Sequence, residues 1–336
     1  MSLQASNLEV EQLPPGTDAT VADPSKIAGR SPTKLAIARF RQDRLSMVSF
    51  WIVVVYLLIG ISAPILVKTG VLDPFTLHQE LLNSDTLPKG SFGGVSWSHP
   101  LGVEPGTGRD VLSRLVYGVT FSLAIALAST IIAIGLGTAL GIISGFSGGW
   151  TDSIIGRAVD LTLSFPQTLM LLALSSLGVA FVAKYLPGND SAALPNAVYV
   201  ILVLGLFGWP GITRIMRGQV LSIREREFVD AAVLVGASRR RIYFKEILPN
   251  LWAPLLVTFT LTMPLYISAE AALSYLSVGI KPPTPTLGNI LKGSVNYSQA
   301  DFGFFFGPAF LIMLIVVSFN LLGDGIRDAL DPKSAQ

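Results

Sequence analysis

The sequence predicts an all-α integral membrane protein with about six transmembrane helices. Three observations carry that prediction. The 336-residue chain is 51% hydrophobic and only 14% charged, whereas a soluble domain averages about 25% charged residues. The charges are gathered into islands instead of being spread along the chain. Between the islands lie apolar runs of about 20 residues, the length a helix needs to cross the hydrocarbon of a bilayer.

Residues 1–44 read as a cytoplasmic tail, partly disordered, because their beginning is polar, acidic and proline-rich ("NLEVEQLPPGTDATVADPSK"). They lack the apolar core of a signal peptide. A basic stretch from Lys26 to Arg44 precedes the first apolar run, Met47 to Val67, so residues 45–67 suit an uncleaved signal-anchor. Residues 68–115 follow as an external segment rich in Gly, Pro and Ser; connections this long are usually functional or disordered. Residues 116–323 hold the other five runs. The second, Tyr117 to Ile143, places Gly137, Gly141 and Gly145 four apart, a pattern that lets helices approach closely. The third is Leu161 to Val182, with Arg157 and Asp160 set for a local i, i+3 pair at its start. The fourth, Ala197 to Met216, contains Trp209–Pro210, a kink signal. The fifth, Leu255 to Val278, carries Glu270, and an ionisable residue inside a span is costly. Residues 280–303 form a second external connection. The sixth run, Phe304 to Leu322, leads into a cytoplasmic tail, residues 324–336.

Orientation follows from lysine and arginine. With the N-terminus inside, 17 of the 24 fall on the inner side. Both termini, and the polar segment at about 217–254, are therefore expected in the cytoplasm. The net charge of +2 implies no nucleic-acid partner. There is no cysteine for a disulfide, a nucleophile or a thiolate site, and two histidines, His78 and His99, are too few for a histidine-rich metal site. No G-x-x-x-x-G-K-[ST] loop is present, so the chain is not itself an ATP-binding subunit. With Glu270 alone clearly inside a span and no evident inverted repeat, a secondary transporter is a poor fit. No channel selectivity motif and no catalytic constellation is visible.

The segment 217–254 reads as two short helices around a sharp turn. Ser222 and Glu225 have capping-box spacing for a helix starting near Ile223. Phe228, Ala231, Ala232 and Val235 make an apolar stripe. Gly236 suits a left-handed stop, and Ser238 can cap a second helix running toward Pro249. So small a stripe needs a partner surface. Arg239, Arg240 and Arg241 sit where a helix dipole disfavours cations. They fit either anionic lipid headgroups or an acidic patch on a partner protein.

"DAAVLVGASRRRIYFKEILP", Asp230 to Pro249, resembles the EAA loop of ABC importer permeases: "DAA" for the triplet, Gly236 four residues after it, and "ILP" at the end. Asp230 replaces the usual glutamate. "HPLGVEPGTGRDVLSRLVYG", His99 to Gly118, is similar to a pattern of the dipeptide/oligopeptide (DppC/OppC-type) permeases, with Val103 and Glu104 in place of Thr-Asp. "GGWTDSIIGRAVDLTLSFP", "AEAALSYLSVGIKPPTP" and "NLLGDGIRDALDPK" also resemble that family, so the likeness covers about residues 45 to 333.

The resemblance implies a type I ABC importer permease fold and a multi-pass protein of the bacterial inner membrane. It implies half of a peptide translocation path, beside a second homologous permease. It also implies two ATP-binding subunits (or one fused), which would hold ATP and Mg2+, and an extracytoplasmic substrate-binding protein; this chain would need no cofactor. Phe228, Asp230, Ala231, Ala232, Gly236 and Pro249 would couple to the ATP-binding subunit. A nickel or glutathione permease is the alternative. Two further readings stay open at this stage. Glu270 serves gating or pathway lining, or else helix packing. Arg109 and Asp110 contact the binding protein or partner permease, or else cap a helix locally.

Overall fold

The computed structural model describes residues 32–186 and 193–330. The tail expected over the first residues, and residues 331–336 at the other end, lie outside them. Within the described residues the chain is helical, with two isolated β-bridges and no strand.

Helix α1, Pro32–Gln42, is followed at once by α2, Arg44–Lys68. Asp43 separates them: its carboxylate accepts from the backbone N–H groups of Leu45 (3.1 Å) and Ser46 (3.2 Å), starting α2 with an N-cap. Helix α3, Val111–Ser147, is the longest, and its neighbours include α2, α7 (Ala193–Arg224) and α10 (Trp252–Tyr275). Helix α12, Phe302–Leu330, closes the bundle against α2 and α10.

The glycine stripe fixes the α3–α7 crossing. A Cβ at Gly137 would lie 2.6 Å from Ile212 Cβ, one at Gly141 2.7 Å from Met216 Cβ, and one at Gly145 2.9 Å from Val220 Cβ. Only hydrogen fits at these positions, so the small-residue rule is obeyed one turn after another. Met216 and Val220 are completely buried in that seam.

The third span differs from its expected form. Helix α4, Gly149–Leu163, ends before Pro166, which has no N–H to donate to a continuing helix. The apolar run then makes α5, Gln167–Ala173, and α6, Ser175–Tyr185, bent by 63° from each other. Among the described residues five helical stretches are long and apolar enough to cross a membrane, and the bent pair makes a sixth if counted as one span. The i, i+3 pair at the start of this run does not form. Asp160 instead meets Arg214 of α7 at 2.5 Å, because α4 lies along α7 and brings a different arginine within reach.

Helix α7 stays a single helix through Pro210. The connection at residues 280–303 is not all loop. It contains α11, Leu287–Val295, opened by a reciprocal capping box: Thr286 Oγ1 accepts from Asn289 N–H (3.2 Å), and Asn289 Oδ1 accepts from Thr286 N–H (3.0 Å). The first connection is ordered by close backbone approaches. A Cβ at Gly93 would collide with Asp301, and one at Gly102 with the Gly93 carbonyl.

Candidate functional site

The segment at 217–254 is built around α8, Glu227–Leu234. Helix α7 runs on to Arg224, so the expected capping box at Ser222 and Glu225 does not start α8. Arg226 occupies that N-cap, without a side-chain cap bond. The C-terminal stop is as read from the sequence. Gly236 has φ +79°, its N–H donates to Val233 O (2.9 Å), and Ala237 N–H donates to Ala232 O (3.0 Å). Those two bonds are the Schellman pattern that satisfies the last carbonyls of a helix.

Beyond the turn, Ser238 Oγ accepts from Arg241 N–H at 3.4 Å and caps α9, Arg239–Arg241. The second helix does not stop at Pro249. It passes through a π-turn, Ile242–Ile247, and a 3-10 turn, Leu248–Leu251, directly into α10. Pro249 sits at the start of the 3-10 turn, where its missing N–H is tolerated. The path therefore changes pitch without breaking.

Burial sorts the faces of α8. Val229, 1% exposed, anchors the helix in the core beside Ile223, Ile242 and Ile247. Ala232 turns toward that core as well. The outward face carries Phe228, Ala231, Leu234 and Val235, the last two 87% exposed, with Asp230 exposed beside them. The structure thus brings Phe228, Ala231 and Val235 together, leaves Ala232 half-buried at the edge between that stripe and Val229, and leaves Pro249 on the next segment. Leu234 is the member that sequence reasoning missed. Continuing the i, i+3 step from Phe228 and Ala231 by one more interval would have found it.

The second candidate is Glu270, wholly buried in α10. One carboxylate oxygen accepts from Ser122 Oγ of α3 (2.7 Å), the other from Ser274 Oγ (2.7 Å). Ser122 Oγ in turn accepts from Leu287 N–H (3.2 Å), and Thr286 Oγ1 reaches Ser274 Oγ (3.4 Å). Both oxygens are engaged and the first turn of α11 points at them, so the carboxylate ties three helices together. In this arrangement the carboxylate reaches no open surface.

Comparison with known proteins bears on both features. Residues 137–336 match the family model described as binding-protein-dependent transport system inner membrane component. The chain belongs to this family. A second model, the N-terminal transmembrane domain of oligopeptide transport permease C, matches residues 31–87 of the permease. It is 35% identical to the dipeptide transport system permease protein DppC of Alkalihalophilus pseudofirmus, over 90% of each chain. It is also 35% identical to the oligopeptide transport system permease protein OppC of Bacillus subtilis, over 94% of this chain and 95% of that one. The inward-facing MetNI methionine ABC transporter has a chain with the same fold, at TM-score 0.50 and 21% identity, covering 66% of this permease and 97% of that chain. The permease is thus a multi-pass inner-membrane protein with the type I importer fold. Its family works within ABC transporter complexes.

The motif at His99 to Gly118 of the permease forms a set of local contacts. Asp110 is the N-cap of α3: its carboxylate accepts from Ser113 N–H (2.7 Å) and faces His99 Nδ1 at 3.0 Å. Arg109 is half-buried next to it. Arg114, passed over in the sequence, is almost wholly buried. It lies 3.3 Å from Glu104 and donates to the carbonyls of Pro74 (3.4 Å) and Pro283 (3.2 Å). Glu104 is thereby the counter-ion of Arg114, and that arginine staples both long connections to α3.

At the other end of α3, Arg217 binds Asp152 with two 2.6 Å bonds, and Ser144 donates to the same carboxylate. Asp152 lies outside the spans, and the Arg217 guanidinium holds its carboxyl down to about 2. The pair clamps α4 onto α7.

Proposed function

We propose that this permease forms one half of the membrane path of an ATP-driven importer of di- and oligopeptides. The substrate class rests on the relatives above, which are named for dipeptides and oligopeptides; neither is named for nickel or glutathione. The partners proposed are a second homologous permease, two ATP-binding subunits or one fused, and an extracytoplasmic binding protein. ATP and Mg2+ belong to the ATP-binding subunits, and both termini lie in the cytoplasm.

The observation that carries the coupling role is the outward stripe of α8. Phe228, Ala231, Leu234 and Val235 put bare apolar surface on a helix whose other side is fixed in the core. Exposed apolar surface of this kind marks an interaction site. The Gly236 turn holds α8 at a set angle to the helical path that runs on into α10, so a push on α8 is delivered to a membrane helix. Asp230 at the edge of the stripe supplies one charge for the contact.

The test is co-purification of the ATP-binding subunits with the permease, alongside uptake of labelled dipeptide. Leu234→Glu with Ala231→Glu, on the outward face, is expected to abolish both while membrane insertion persists. Retained co-purification would remove the docking claim. Uptake of nickel instead of peptide by the wild-type complex would overturn the substrate.

A further inference from the structure

The arginines after Gly236 do not share one environment. Arg240 and Arg241 line a cavity of about 390 Å³ together with Lys245, Ser238 and Phe244. Arg239 is not among its lining residues. No ion pair within the described residues engages Arg240, Arg241 or Lys245. Glu246 follows Lys245 in sequence and does not line the cavity. Three cations thus converge without an internal counter-ion.

Phe244 belongs to a second cavity as well. This one, about 440 Å³, is almost entirely apolar and runs between α3 and the start of α10, past Ile134, Thr138, Ile142, Leu248 and Leu255. Ile134 lies thirteen residues from the cytoplasmic end of α3 at Ser147, about 20 Å along the helix. The apolar cavity therefore reaches deep into the membrane-spanning part, while the cationic one lies at its cytoplasmic mouth.

We propose that the two cavities form one binding site for an anionic phospholipid of the cytoplasmic leaflet. The phosphate sits among Arg240, Arg241 and Lys245, and an acyl chain lies along Ile134, Thr138, Ile142 and Leu255. Phe244 stands at the junction of head and tail. A water-soluble partner protein meets the cations but does not enter a groove between membrane helices. An apolar helix in the groove would leave the three cations at its mouth unpaired. A phospholipid has both parts at the right depth, and lysine or arginine near an anionic leaflet is attracted to it. This assigns a ligand to two of the three arginines independently of what α8 docks.

Native mass spectrometry of the purified permease, taken from micelles doped with equal phosphatidylglycerol and phosphatidylcholine, reads the site directly. Preferential retention of phosphatidylglycerol is expected. Arg240→Gln with Arg241→Gln and Lys245→Gln should reduce that preference about tenfold or more. Gly135 also lines the apolar cavity, and a Cβ there meets nothing within 4 Å. Gly135→Leu should therefore fill the groove without a clash and lower retention of both lipids, leaving the mouth intact. Equal retention of the two lipids by the wild type overturns the proposal. So does a triple variant that keeps the preference but loses the ATP-binding subunits, since the cations would then belong to a protein contact.

Discussion

Glu270 illustrates how a single buried carboxylate is held in an apolar bundle. Its two oxygens have two hydroxyl donors on two helices, and one of those hydroxyls also takes a backbone N–H from the first turn of α11. A buried hydroxyl or amide left without its partner costs about 1–3 kcal/mol. Glu270→Leu removes the acceptor for both serines and is expected to destabilise the permease by about 2–3 kcal/mol or more. Glu270→Gln keeps one acceptor oxygen, and its amide N–H can donate to a serine hydroxyl, so its melting temperature should stay near that of the wild type. Thermal unfolding of the two variants in detergent checks the order. If Leu is tolerated as well as Gln, the network does not hold the helices together. If Gln folds normally but abolishes peptide uptake, the charge itself serves transport.

At the scale of elements, the α3–α7 seam depends on glycine at three successive turns. Gly141→Leu places its side chain against Met216 and the backbone at Arg217. Overpacking of this kind costs about 1–3 kcal/mol, occasionally more. The expected readout is a lower melting temperature and reduced yield of folded permease. Gly135→Leu, six residues earlier in the same helix but facing open space, is the matched control and should melt like the wild type. Equal losses for both would mean the seam is not the cause.

The seam was legible in the sequence because glycine at every fourth position has few other uses in an apolar helix. The Gly236 stop and the Ser238 cap were legible for the same reason, since each residue type answers one local geometric need. The break in the third span was not. Hydropathy reports apolarity and does not record that Ser164 to Pro166 ends a helix or that α5 and α6 meet at an angle. Helix α11 was hidden by Pro and Gly around it, although Thr286 and Asn289 carried a cap signature three residues apart. The Asp160–Arg214 pair was beyond reach, because it depends on how α4 lies against α7. Ala232 is half-buried at the edge of the outer stripe, because a stripe of four residues does not fix which of its edges turns toward the core.

For the whole molecule, the absence of cysteine from the sequence makes orientation directly measurable. Trp97 stands fully exposed on the first connection, and Val235 is exposed beside the Gly236 turn. Trp97→Cys in intact cells is expected to react with a membrane-impermeant maleimide, and Val235→Cys only after the cells are opened. The reverse pattern would invert the proposed topology and place α8 away from any ATP-binding subunit.

The Glu270 network also limits how permeases of this kind are recombined. Ser122 lies 148 residues before Glu270 in the chain, yet it is the bridge between that carboxylate and α11. A chimera that imports residues 276–301 from a relative, to borrow its outer surface, would inherit a helix whose first N–H looks for a hydroxyl encoded far upstream. The cassette that transplants cleanly is therefore discontinuous in the gene. It consists of the external segment together with Ser122, Glu270 and Ser274.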